Sequence, residues 1–196
     1  MYSKNNLVFG FHGCDKITFN NVISGGEMIK FSANTYDWLG SGMYFWERDP
    51  ERALLWAKNK DDISEPAVIG AIIDLGYCLD LTRHENMLYL QEGFMFLEWS
   101  CLRANKPLPR NHGKKKSGDV LLRDLDCSVI NMIHQLNEKR NRKPYDSVRG
   151  IFIEGEPVFP GACIYEFTHT QLCIRNPNCI RGFFDPRDMD ENYPAL

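Results

Sequence analysis

The chain lacks most of the features that give a function away at once. None of its seven cysteines (14, 78, 101, 127, 163, 173 and 179) forms a C-x-x-C pair, and their number is odd. Most sit inside apolar runs such as Gly76-Tyr77-Cys78-Leu79 and Leu172-Cys173-Ile174, where a reduced cysteine acts as a small hydrophobe. A disulfide scaffold and a zinc site are therefore disfavoured. No apolar stretch approaches the roughly 18 residues of a membrane span. There is no excess of one charge: 26 acidic side chains against 23 basic ones leave −3, which excludes a uniformly basic nucleic-acid binder but says nothing of local patches. Internal repeats and low-complexity tracts are missing. So are the P-loop, the G-x-S-x-G elbow, G-x-G-x-x-G and H-E-x-x-H.

What is present is an ordinary globular composition, 43% apolar and 25% charged over 196 residues, expected to form one domain with an insertion. The opening Met1-Tyr2-Ser3-Lys4-Asn5-Asn6 runs into an apolar strand without a cleavable leader, so a cytoplasmic protein with no membrane association is expected.

Along the chain, Leu7 to Phe11 reads as a buried strand ending at His12-Gly13. Asp15 caps a short helix that Gly25-Gly26 ends, and Met28 to Ser32 reads as a second strand. A loop from Asn34 to Gly42 leads into the aromatic strand Met43-Tyr44-Phe45-Trp46. Asp49-Pro50 opens a helix carrying Ala53, Leu54, Trp56 and Ala57. Ala67 to Leu81 is expected to be one longer strand, and Thr82-Arg83-His84-Glu85 has capping-box spacing before a helix to about Ala104. A polar stretch, 105–119, precedes a second helix with Leu121, Leu122, Leu125, Val129, Ile133 and Leu136 on one stripe. Val148 to Ile153 is a strand, 154–168 a long loop, and Gln171–Arg175 with Ile180–Phe184 a final strand pair before an acidic tail. Strands, then two helices, then strands again predict an α+β domain around a mixed or antiparallel sheet, with a helical insertion at about 82–140.

Three separated patches carry chemistry. Phe11-His12-Gly13-Cys14 offers an imidazole beside a backbone that glycine leaves open to close approach. Gly40-Ser41-Gly42-Met43-Tyr44-Phe45 offers a tyrosine ring able to stack on a flat ligand. Thr170-Gln171-Leu172-Cys173-Ile174-Arg175 opens a strand with a polar residue able to hold a hydroxyl. Together they suit a ligand with a ring, an amide and a ribose.

In that order the patches resemble the signature of ADP-ribosyltransferases of the poly(ADP-ribose) polymerase and diphtheria-toxin type, which carry His, Tyr and usually Glu on three separate strands. The resemblance covers 7–81 and 145–184 but not 82–140. It implies an ADP-ribosyltransferase-like core and NAD as the substrate. His12, Gly13, Ser32, Gly42, Tyr44 and Trp56 would bind NAD, and His12, Tyr44, Gln171 and Glu166 would carry catalysis, without a metal. The chain departs from the family twice: Leu55, with Trp56 beside it, stands where a second tyrosine is frequent, and Gln171 replaces the usual glutamate.

A neutral Gln171 accepts a hydrogen bond from a ribose hydroxyl but gives less electrostatic support to the cationic transition state. The resemblance thus implies transfer of a single ADP-ribose unit to a protein or nucleic acid, as in toxins and defence effectors. Glu154, Glu156 and Glu166 are the loop carboxylates available to compensate, Glu166 being closest to Gln171 in the chain. His169 stands where relatives often carry a residue that selects the target. Lys106, Arg110, Lys114, Lys115 and Lys116 make the insertion locally basic, either as a solvated loop or as a phosphate-tracking patch. The other expectation for the insertion is a neutralising or regulatory protein partner. NAD hydrolysis without an acceptor, and NAD or ADP-ribose binding without catalysis, are the alternatives.

Overall fold

The computed structural model describes residues 7–114 and 120–187. Lys115 and Lys116 of the basic cluster, and the acidic tail from Asp188 onward, lie outside the described residues.

The architecture is α+β. Strand β1 (Leu7–Asp15) is followed by α1 (Lys16–Ile23), β2 (Met43–Glu47), α2 (Pro50–Lys58), β3 (Pro66–Asp74) and β4 (Cys78–Asp80). Helix α3 (His84–Arg103), a hairpin of β5 (Asn111–Lys114) and β6 (Val120–Arg123), and α4 (Asp124–Lys139) form the insertion. Strands β7 (Ser147–Phe152), β8 (His169–Ile174) and β9 (Ile180–Phe184) complete the chain. Seven strands join in the order β4-β7-β8-β2-β1-β3-β9, antiparallel except for the β4–β7 pair.

Several boundaries differ from the sequence expectation. β1 runs past His12 to Asp15, because β3 pairs with it along its whole length. Asp15 then caps α1, accepting the Thr18 backbone N–H at 2.8 Å. Met28 to Ser32 is not a strand; only Ser32 pairs, in an isolated bridge to Gly42. The single strand expected over 67–81 is two, β3 and β4. Gly76 takes φ +59, a left-handed turn that carries the chain from β3 to the far edge of the sheet. The capping box at 82–85 does not form. Arg83 holds the N-cap position without a side-chain bond, and the Thr82 hydroxyl instead donates to Asp80 at 2.7 Å. Residues 120–123 belong to the hairpin rather than to the second helix, which starts at Asp124. β8 and β9 are not a pair: β8 lies between β7 and β2, while β9 extends the edge beyond β3.

Two cores result, one on each face. Met43, Phe45, Ile69, Ala71, Ile73, Leu172 and Ile174 form the first, closed by Phe19 and Val22 of α1. Leu39, Leu79, Val148, Phe152 and Cys173 meet Ile130 and Ile133 of α4 in the second. The insertion is also fastened to the 34–42 loop, through Thr35 to Asp124 at 2.8 Å and the Ser41 N–H to Asn131 at 3.2 Å. Among the described residues no helix is long and apolar enough to cross a membrane.

Candidate functional site

β1 stays with β3 from Leu7↔Asp74 to Asp15↔Pro66, but it meets β2 only at Gly10↔Glu47 and Phe11↔Trp46. From His12 onward a side chain replaces the β1–β2 ladder: His12 Nδ1 lies 2.8 Å from the carbonyl oxygen of Tyr44. A carbonyl only accepts, so the proton sits on Nδ1 and Nε2 carries the lone pair. Burial lowers the pKa of this imidazole, and the Tyr44 carbonyl opposes that shift less strongly. At neutral pH the ring is therefore neutral, with an acceptor nitrogen suited to a hydroxyl. Phe45 meets it edge-on, with centroids 5.9 Å apart.

Tyr44 sits on β2 opposite Cys173 of β8, and Trp46 sits opposite Gln171. Directly opposed residues share a face, so Tyr44, Trp46, Gln171 and Cys173 stand together on the side of the second core. The Tyr44 hydroxyl accepts the Leu39 N–H at 2.8 Å and donates to the Gly40 carbonyl at 2.6 Å. Burial pushes its pKa well above the usual phenol range. Its hydroxyl thus anchors Leu39 and Gly40, and its partly buried ring packs against the second core. His12 pairs with Ile69 and leaves β1 on the opposite face, toward the first core. The three signature positions occupy the adjacent strands β1, β2 and β8, but their side chains do not share one face.

Gln171 is half-buried, with its amide nitrogen 3.1 Å from His169 Nε2. His169 is buried and its Nδ1 donates to the Phe167 carbonyl at 2.6 Å. Behind it, Glu154 is only 4% exposed, 3.9 Å from His169 Nδ1 and 2.8 Å from the Arg52 guanidinium of α2. Trp38, Trp46 and Phe152 surround the imidazole, with ring centroids at 6.4, 6.4 and 6.0 Å. Burial lowers the pKa of His169.

The remaining expected residues are dispersed around this centre. Gly13 lies beneath α2, where a Cβ would run into the Ala53 carbonyl. Gly42 lies against β8, where a Cβ would overlap Cys173 Sγ. Ser32 donates to Asp37 at 2.7 Å and so ties down the loop before β2. Trp56 packs on Trp46 at 5.8 Å. Glu166 is exposed and accepts the Glu156 N–H at 3.2 Å. The loop carboxylate next to His169 and its Gln171 contact is Glu154. Sequence reasoning gave Arg52 and Trp46 no role, since an arginine in the first turn of a helix and a tryptophan in an aromatic strand carry no distinguishing signal.

A cavity of about 730 Å³ lies between β7 and the inserted helices, lined in part by Trp38, Phe94, Arg123, Gly150 and Phe152. Gly150 and Phe152 are the register partners of Gln171 and His169, so this cavity borders the site without including its signature residues. Another, of about 740 Å³, is lined by Tyr77, Tyr89, Tyr145 and Arg149, the last clamped by Glu47 and Asp80 at 2.6 and 3.2 Å. Among the described residues no group of three or more His, Cys, Asp or Glu is placed to hold a metal ion.

No family model matches the chain. A protein of Methanocaldococcus jannaschii, described as uncharacterized protein MJ0359, is 24% identical over 193 residues, covering 87% of this chain and 83% of that protein. Its description names no activity.

Proposed function

We propose that the protein is an NAD-dependent mono-ADP-ribosyltransferase, cleaving the nicotinamide–ribose bond and passing one ADP-ribose to a macromolecular acceptor. The observation that carries this reading is the parting of β1 and β2 at His12, held by the His12–Tyr44 link, with Gln171 on the next strand. His12 Nε2 is an acceptor for a ribose hydroxyl, and the Tyr44 ring a surface for nicotinamide. The Gln171 carbonyl, on the opposite face of the sheet from His12, is a second hydroxyl acceptor for a ligand lying in the opening between β1 and β2. As the bond breaks, positive charge grows on the ribose ring, and fixed acceptors around its hydroxyls favour that state over the ground state. A neutral amide gives less of this stabilisation than a carboxylate, which supports single-unit transfer over chain growth. The leaving nicotinamide departs with the bonding electron pair, and the acceptor supplies the new bond to the anomeric carbon.

The test is incubation of cell extract with NAD labelled in the adenylate, followed by separate protease and nuclease digestion. Macromolecular label that depends on His12 supports the reading, and the digestion that removes it names the acceptor as protein or nucleic acid. NAD consumed without transferred label makes the protein a glycohydrolase. Calorimetric NAD binding without turnover makes it a binding module, a reading that the neutral Gln171 favours.

A further inference from the structure

We propose that His169 is a positioning residue for this reaction: its Nε2 accepts the Gln171 amide N–H, turning the Gln171 carbonyl oxygen outward as the hydroxyl acceptor, and protonation of the ring reverses the amide. The inference rests on the transferase reading for its consequence, and on the side-chain geometry for its substance.

A glutamate at this position would present an acceptor whichever way its carboxylate turned. A glutamine would not. Its two ends occupy nearly the same volume, so only the hydrogen-bond partner decides whether oxygen or nitrogen faces the ligand. Here the decision is made in sequence. The Phe167 carbonyl, 2.6 Å from Nδ1, accepts a hydrogen bond there and so keeps the imidazole proton on Nδ1. Nε2 is then a bare acceptor, and the group 3.1 Å from it on Gln171 must be the donating nitrogen. The oxygen of the same amide is left pointing away from His169.

The charged groups facing His169 are Arg52 and Asp49 from the start of α2 and Glu154 from the loop after β7. Arg52 holds Glu154 at 2.8 Å, so this carboxylate is already neutralised. Burial and the Arg52 charge disfavour the imidazolium, against the smaller opposing pull of the Phe167 carbonyl, Glu154 and Asp49. The ring is therefore neutral at pH 7. When acid adds a proton to Nε2, the site becomes a donor, and the Gln171 amide must turn its oxygen inward and its NH₂ toward the ligand. A hydroxyl-accepting pocket becomes a hydroxyl-donating one.

The experiment is a pH titration of the intact protein, following imidazole nitrogens and the Gln171 side-chain amide by ¹⁵N NMR, alongside nicotinamide release. The expected result is an Nδ1–H tautomer for His169 at neutral pH, with His169, the Gln171 amide and turnover all changing at one midpoint. His169→Phe lowers kcat about tenfold, and Gln171→Glu in that background restores it, because a carboxylate needs no orienting partner. An Nε2–H tautomer, or a Gln171 amide that ignores the His169 titration, overturns the proposal, even if His169→Phe fails to fold. So does a His169→Phe variant with unchanged kcat and pH profile. Coupled NMR titration in a protein that never cleaves NAD overturns the transferase reading while leaving the His169–Gln171 pairing standing.

Discussion

His12 Nδ1 and the Tyr44 carbonyl oxygen, 2.8 Å apart, join β1 to β2 where the ladder between them has ended. An imidazole has taken the place of a backbone N–H. The link fixes the tautomer and aims the open nitrogen away from β2. His12→Ala removes both the link and the acceptor, and is expected to lower nicotinamide release by about 100-fold or more. His12→Asn, with a nitrogen near the Nδ1 position, is expected to keep the melting temperature closer to wild type while still losing turnover. Release kinetics together with thermal melts check this.

Tyr44 has a role in the fold as well as a proposed one in the site. Tyr44→Phe keeps the ring but leaves the Leu39 N–H and the Gly40 carbonyl without their partner. The expected cost is about 1–3 kcal/mol of stability, measured by urea unfolding, with NAD cleavage retained. Tyr44→Ala is expected to lose both.

Arg52 and Glu154 form a buried ion pair, their side chains 13% and 5% exposed. Glu154→Ala leaves a guanidinium uncompensated, and the expected loss is about 3–5 kcal/mol. Arg52→Met with Glu154→Leu is expected to recover most of it, since apolar replacements remove both desolvation costs. Denaturant unfolding of Arg52→Met, Glu154→Leu and the double variant measures the coupling.

His134 of α4 is 4% exposed, and neither ring nitrogen has a partner among the described residues. Burial, helped by the charge of Arg175, lowers its pKa from 6.5 to about 3. The folded state thus binds a proton less readily than the unfolded state. Its contribution to stability is complete above pH 6.5 and is lost as pH falls from there toward 3, by up to about 1.4 kcal/mol per unit. His134→Leu is expected to raise the melting temperature and flatten this acid-side decline, because it removes two unpaired polar atoms. Melting curves between pH 7 and pH 4 decide it.

Gly13 lies beneath α2, where a Cβ would enter the Ala53 carbonyl. The atoms it would meet, the Ala53 carbonyl and the Ala57 Cβ, have no flexible end to yield, so Gly13→Ala is expected to cost on the order of 3 kcal/mol. The lower midpoint would appear in urea unfolding.

The elements whose signals are local were legible in the sequence. Asp15 and Asp49 mark helix starts because each accepts a backbone N–H three residues on. The β2 core positions Met43 and Phe45 show the alternation of a strand with distinct faces. Elements whose fate depends on distant partners were not legible. Met28 to Ser32 has a strand's composition, but only Ser32 finds a pairing partner. Leu121 and Leu122 continue the helical stripe in sequence, yet the hairpin with Asn111 and His112 captures this segment. At the site, the three signature positions could be ordered from sequence, but which loop carboxylate lies near His169 could not. Glu166 is nearer to Gln171 in the chain. Glu154 is nearer to the imidazole in space because Arg52, from a different element, holds it there. No spacing rule links Arg52 to Glu154.

The most direct test of the account is nicotinamide release from NAD, measured in the presence of cell extract, for the wild-type protein, His12→Ala and Tyr44→Ala. The account predicts release by the wild type and its near-complete loss in both variants. Release at the wild-type rate in both variants, or no release by the wild type, would contradict it.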